Sequence, residues 1–226
     1  MSQTDYTRQT HHEFLVAAEQ ALEDPKLQAS LTNLGDTLAQ RNREAWAAFP
    51  QSDAVRELAR QIKDETLAHL DQYLEEFEAN VRRRGGDVHY AADGAEACTV
   101  ITDILRTRGV KKVVKSKSMT TEEIHLNEAL EAAEFEVVET DLGEFIVQLS
   151  KQRPSHLVAP ALHLRMPEIH ELLSGDAGET LPNTPEDMAL YARRRLRADF
   201  ATADAGITGG NFAIADTGSI VLISNE

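Results

Sequence analysis

The chain of 226 residues has a single cysteine, Cys98, so neither a disulfide framework nor an all-cysteine metal site fits within it. It has no apolar run of about 18 residues and no basic-then-apolar leader over Met1–Gln20, so neither a membrane span nor a secretory signal is expected. Basic charge is also scarce. Lys+Arg number 23 against 38 Asp+Glu, and the net charge of −15 argues against a general nucleic-acid or anionic-membrane binder. These absences leave a cytoplasmic protein long enough to bury a full core.

What is present falls into two parts, residues 1–84 and 85–226. The first is helical in pattern. Val55, Leu58, Ile62, Leu70, Tyr73, Leu74, Phe77 and Val81 recur at three- and four-residue steps, predicting one long amphipathic helix. Ser52 is its expected N-cap, and Gly85-Gly86 stop it behind Arg82-Arg83-Arg84. Shorter helices are expected near His11–Glu23 and Lys26–Ala48. The acidic character of this extension suits a solvated face or a partner surface better than catalysis.

In the second part, strand-like runs at Val88–Ala91, Lys112–Lys115, Phe135–Glu139, His156–Ala159 and Ala205–Thr208 alternate with helical stretches. Those stretches are Gly94–Arg108, Thr121–Ala133, Leu142–Lys151, Pro167–Leu173 and Pro185–Phe200. The succession predicts an α/β domain with a mainly parallel sheet and helices on its faces. Phe212–Ala215 and Ser219–Ile223, joined by Asp216-Thr217-Gly218, predict a tight antiparallel hairpin. The Asp216-Thr217-Gly218-Ser219 string also occurs in aspartic proteases, but those need two such aspartates sharing a proton. One copy inside an α/β pattern reads as a turn.

Ligands of parallel sheets collect beyond the carboxyl ends of the strands, which makes the residues following each strand the candidates. Lys115, Ser116 and Lys117 precede a helix start, with Thr120 and Glu123 at capping-box spacing. They suit a carboxylate or phosphate, although the glycines of a phosphate loop are missing. Glu139 ends the next strand and is a candidate general base or a salt-bridge partner, while Asp141 and Glu144 have capping spacing. His163, with His156 and His170 nearby, is a candidate acid/base or substrate-orienting group, without the spacing of a zinc site. Gly209, Gly210 and Asn211 offer backbone N–H groups, and Thr217 and Gly218 complete the anion-binding set. The run Arg193-Arg194-Arg195-Leu196-Arg197 reads as a charged helix face.

Four strings carry a family likeness: Lys115 to Glu123, Glu139 to Glu144, Pro154-Ser155-His156 with Pro160 to His163, and Gly206 to Asn211 through Asn225-Glu226. Together they resemble the lactate-utilization (LUD) domain family, and in particular its iron–sulfur subunit type. The resemblance implies an α/β/α sandwich similar to the NagB/RpiA/CoA-transferase group. It also implies a part in oxidising L-lactate to pyruvate beside partner subunits of the A and C type, with lactate as a small organic anion ligand. In such subunits, 4Fe-4S clusters sit in a ferredoxin-like C-terminal segment. Cys98 alone cannot hold one, so the clusters are expected outside this chain. Two other readings stay open. One is a stand-alone enzyme for phosphosugars, acyl-CoA or folate-type substrates; the other is a non-catalytic scaffold whose acidic helices dock partners.

Overall fold

The computed structural model describes residues 10–152, 154 and 159–223. Its contacts divide the chain into two compact units, Met1–Gln61 and Ile62–Glu226. The first holds helices α1 (His11–Glu23) and α2 (Pro25–Ala47) and the start of α3 (Ser52–Ala68). Helix α1 opens with a capping box, in which the Thr10 hydroxyl accepts from Glu13 N and Thr10 N donates to the Glu13 carboxylate. Asp24 caps α2 ahead of Pro25. No residue of α1, α2 or α3 is buried, and Arg56 lies over the Trp46 ring at 5.2 Å.

The expected long helix is in fact two. Helix α3 stops at Ala68 and α4 (Leu70–Arg83) restarts after His69, whose φ and ψ are −128° and 32°. The His69 ring Nδ1 lies 3.1 Å from Glu65 O, the carbonyl that a continuous helix would pair with the backbone of His69. Ser52 is the first helical residue and not the cap. The α4 stop is as expected: Gly85 takes φ 84°, and Gly85 N and Gly86 N donate to Arg82 O and Val81 O.

The second unit continues with α5 (Gly94–Thr107), β1 (Lys112–Lys115), α6 (Met119–Glu123), α7 (Leu126–Ala132), β2 (Glu136–Glu139), α8 (Leu142–Ser150), α9 (Met166–Ala177), α10 (Pro185–Thr202) and β3 (Ala205–Ile207). The three strands form a parallel sheet in the order β2-β1-β3, with Lys115 level with Glu139 on one side and Ile207 on the other. The α/β class and the parallel sheet are therefore as the alternation predicts. Val88–Ala91, expected as a strand, is irregular. Tyr90 is exposed and its hydroxyl donates to Glu78, while Ala92 N and Asp93 already serve the start of α5. The expected strand at His156–Ala159 lies outside the described residues except for Ala159. The predicted Thr121–Ala133 helix is split by His125, which takes the left-handed conformation with φ 55°.

Period-two alternation assigns each face of the sheet. Val113 and Val137 join Leu105 of α5 and Leu126 and Leu130 of α7 in one core cluster. Val138 packs against a second cluster made by Phe145 of α8, Leu173 of α9, and Met188, Ala192 and Leu196 of α10. The sheet is thus covered by helices on both faces, a three-layer α/β/α arrangement. The same rule sends the two lysines of β1 to opposite layers. Lys112 Nζ reaches Asp199 of α10 at 2.5 Å and Glu136 at 2.9 Å. Lys115 points into the α6–α7 side.

Strands β4 (Phe212–Ile214) and β5 (Ser219–Val221) form the expected antiparallel hairpin as a separate two-stranded sheet. Its turn is seated on α4, where buried Asn80 donates from Nδ2 to Ala215 O at 2.7 Å. A Cβ on Gly218 would come within 2.6 Å of Val81 N.

Entry into β1 depends on Asp204, whose Oδ2 accepts from Lys111 N at 2.9 Å and Lys112 N at 3.0 Å. The bonds from Lys112 and Lys111 hold the Asp204 carboxyl below its ordinary range. A carboxyl held low by folding stabilises the fold above that range, and the contribution is lost as pH falls through its lowered value. Asp204→Asn is expected to lower the unfolding midpoint at neutral pH, with the gap to the parent closing in acid. A gap independent of pH would contradict this.

Candidate functional site

The carboxyl ends of β1, β2 and β3 meet at one rim. Thr140 donates from both N and Oγ1 to Lys115 O, at 3.0 and 3.1 Å. On the other side, Ser116 N donates to Ile207 O and the Ser116 hydroxyl to the Thr208 hydroxyl at 2.8 Å. Gly209 lies against Ser118, where an added Cβ would stand 3.3 Å from its side chain. Gly209 and Gly210 do not have positive φ; an added Cβ would come tight against the side chains of Ser118 and Ile220, at 3.3 and 3.0 Å. Neither amide donates a hydrogen bond among the described residues. Lys115, Ser116, Lys117, Glu139 and Gly209 are therefore neighbours, although they come from three separate stretches of chain.

Lys115 is fully buried. Its Nζ lies 2.8 Å from Glu139 Oε1, 3.2 Å from Glu122 Oε1 and 3.3 Å from Thr121 Oγ1. Asn127 Nδ2 donates to the same Glu139 oxygen at 2.6 Å, while Glu139 Oε2 is enclosed with no hydrogen-bond partner among the described residues. Glu139 is thus the salt-bridge partner of Lys115. Burial pushes the Glu139 carboxyl up, and Lys115 and Asn127 draw it back only in part. Burial draws the Lys115 ammonium down, but Glu139 and Glu122 outweigh it, and the net direction is up. Two carboxylates around one ammonium account for both directions.

The Lys117 side chain is partly exposed, but its Nζ is enclosed, 3.2 Å from Glu144 Oε1 and without a hydrogen-bond partner among the described residues. Burial pushes the Glu144 carboxyl up against the opposing pull of Lys117. Asp141 caps α8 as expected, accepting from Gly143 N and Glu144 N. The cap of α6 is Ser118, which accepts from Thr121 N, in place of the expected Thr120.

Most of the remaining candidates have partners of their own. The Asn211 side chain accepts from Ile223 N and Asn211 N donates to Val221 O, so this residue closes the hairpin. Gly218 contacts Asn80 and Val81 of α4, and Thr217 Oγ1 is enclosed without a partner among the described residues. His163 sits on the turn after Ala159, with Nε2 at 2.6 Å from Gln152 Oε1 and Nδ1 enclosed without a partner among the described residues. His170 Nε2 meets Leu181 O at 2.7 Å, a structural bond, and His156 lies outside the described residues.

Beside the rim lies a cleft of about 540 Å³, formed by the turn after β2, the turn at Pro160–Leu162, and α10. Arg193 lines it, a residue the sequence reading left within a charged helix face. The usable signal is the stripe of Ala189, Ala192 and Leu196 at helical spacing, which sets Arg193 at its border. The chain's donor set does not fit an iron–sulfur cluster: Cys98 is alone and donates its thiol to Ile124 O at 3.3 Å.

Comparison with known proteins joins these features to a family. A family model described as the LUD domain matches residues 74–226. "Lactate utilization protein B" of Bacillus pumilus is 43% identical over 92% of this chain and 44% of its own length. The protein of the same name from Oceanobacillus iheyensis is 48% identical over 76% of the chain and 36% of its own. The "Uncharacterized electron transport protein YkgF" of Escherichia coli K12 is 39% identical over 95% and 45%. The chain thus spans less than half the length of these relatives. No solved structure matches. No helix among the described residues is long and apolar enough to cross a membrane. A family match that takes in α4, the parallel sheet, its strand-end rim and the final hairpin makes this chain a member of the LUD domain family.

Proposed function

We propose that this chain is the LUD-domain part of a subunit that works in L-lactate oxidation and holds an organic anion such as lactate at the strand-end rim. The reading is supported by likeness to proteins named for lactate utilization and, in one case, electron transport. One structural observation carries the site: at the rim the Lys117 Nζ has no hydrogen-bond partner and the Gly209 amide N–H donates to no group among the described residues, and the two residues meet at the Lys117 backbone carbonyl. A carboxylate there meets one ammonium and free backbone donors, the usual components of an anion site. It must displace Glu144 from Lys117, and burial, which already favours protonated Glu144, lowers that cost. Lys115 and Glu139 act as positioning residues beneath the rim. The chain binds and orients the acid. Electron transfer is assigned to 4Fe-4S clusters in the ferredoxin-like C-terminal segment of the family protein, outside these 226 residues, and the assembly includes A- and C-type partner subunits.

Calorimetry with sodium lactate tests this. Lys117→Gln is expected to weaken binding at least tenfold, and parent binding should tighten as pH falls toward the raised Glu144 value, because Glu144 takes up a proton. Unchanged affinity in Lys117→Gln would remove the site.

A further inference from the structure

The cleft beside the rim is not used by the lactate reading. At about 540 Å³ it lies within the roughly 300–1,000 Å³ typical of pockets for ligands much larger than a three-carbon hydroxy acid. Leu142, Ile146, Pro160, Leu162 and Leu196 give it apolar walls. Within the α10 arginine run, Arg195 is held by Asp176 and Asp199, whereas Arg193 has no ion-pair partner among the described residues. Asp141, the acid that also lines the cleft, is already engaged by the first turn of α8 through Gly143 N and Glu144 N. An anionic head therefore belongs at the Arg193 side.

We propose that this cleft binds an organic anion with an apolar body larger than that of lactate, its head on the Arg193 guanidinium and its body against Leu142, Pro160 and Leu196. The guanidinium fork suits a carboxylate or a phosphate, and the walls favour the body by releasing water. The site is independent of Lys117, so the proposal stands or falls apart from the lactate reading.

Calorimetry with hexanoate, hexyl phosphate and neutral hexanamide tests it on the whole chain. At least one of the two anions is expected to bind at least tenfold tighter than hexanamide, and the tighter of the two identifies the head group. Arg193→Gln should cost that anion at least tenfold while leaving the unfolding midpoint unchanged. Ala189→Phe, at an exposed position on the cleft wall, should abolish binding of all three, and Lys117→Gln should leave all three unaffected. Failure of both anions to bind the parent chain would overturn the proposal. So would retention of full affinity in Arg193→Gln or in Ala189→Phe.

Discussion

Lys115→Met is expected to destabilise the second unit by about 3–5 kcal/mol, the usual cost of leaving one member of a buried ion pair behind. That is a large share of the roughly 5–15 kcal/mol a domain holds. The variant strands Glu139, which is 3% exposed, with only Asn127 as a side-chain donor among the described residues. Glu122 is less affected, because its side chain is 37% exposed and can hydrate. Adding Glu139→Gln removes the stranded charge and keeps an acceptor for Asn127, so the double variant should recover most of the loss. The loss should also shrink in acid. Glu139 is raised in the folded chain, and removing Lys115 raises it further. A carboxyl raised by folding weakens the fold above its folded value, and protonation relieves this as pH falls through that value. The single tryptophan, Trp46, lies in the first unit, so amide exchange at Val113 and Val114 is the measurement to make. A loss under about 1 kcal/mol in Lys115→Met would mean that the pair is hydrated and weak.

Gly218→Ala should cost about 2–4 kcal/mol, combining a left-handed backbone with a steric clash. Gly218 has φ 64°, and an added Cβ would meet Val81 N at 2.6 Å and Asn80 C at 2.7 Å. Both contacts are helix backbone, which cannot swing aside as a side chain can. Gly109 provides the control. Its φ is 69°, but nothing lies within 4 Å of the added atom, so Gly109→Ala should cost only about 1–2 kcal/mol. Exchange protection of β4 and β5 should collapse in Gly218→Ala and persist in Gly109→Ala. Equal losses in the two variants would show that the seat on α4 contributes nothing.

The Lys-Val-Val-Lys sequence of β1 reads plainly as a strand, and capping chemistry locates α8 within a residue or two. The fate of the two lysines does not read as plainly. Lysine is ordinarily solvated, and the partners of Lys115 are residues 121, 122 and 139, on α6 and β2, whose meeting is a tertiary fact. His69 was invisible for the opposite reason. The apolar stripe continues across it, and only a ring nitrogen competing for Glu65 O marks the break. Val88–Ala91 has strand composition but pairs with no strand among the described residues. The strand-end rim was legible because parallel topology dictates it. The hairpin's seat on α4 was not, since Asn80 and Ala215 are 135 residues apart.

The sheet order has a consequence for synthesis. Strand β1 gains its β2 neighbour within a short stretch of chain, but its other edge waits for Ala205–Ile207, and Lys115 and Ile207 stand 92 residues apart. Such long-range parallel closure is slow. A nascent chain carries an open Val113–Val114 edge until Ala205–Ile207 is made, the kind of unpaired strand edge that invites association before the sheet closes.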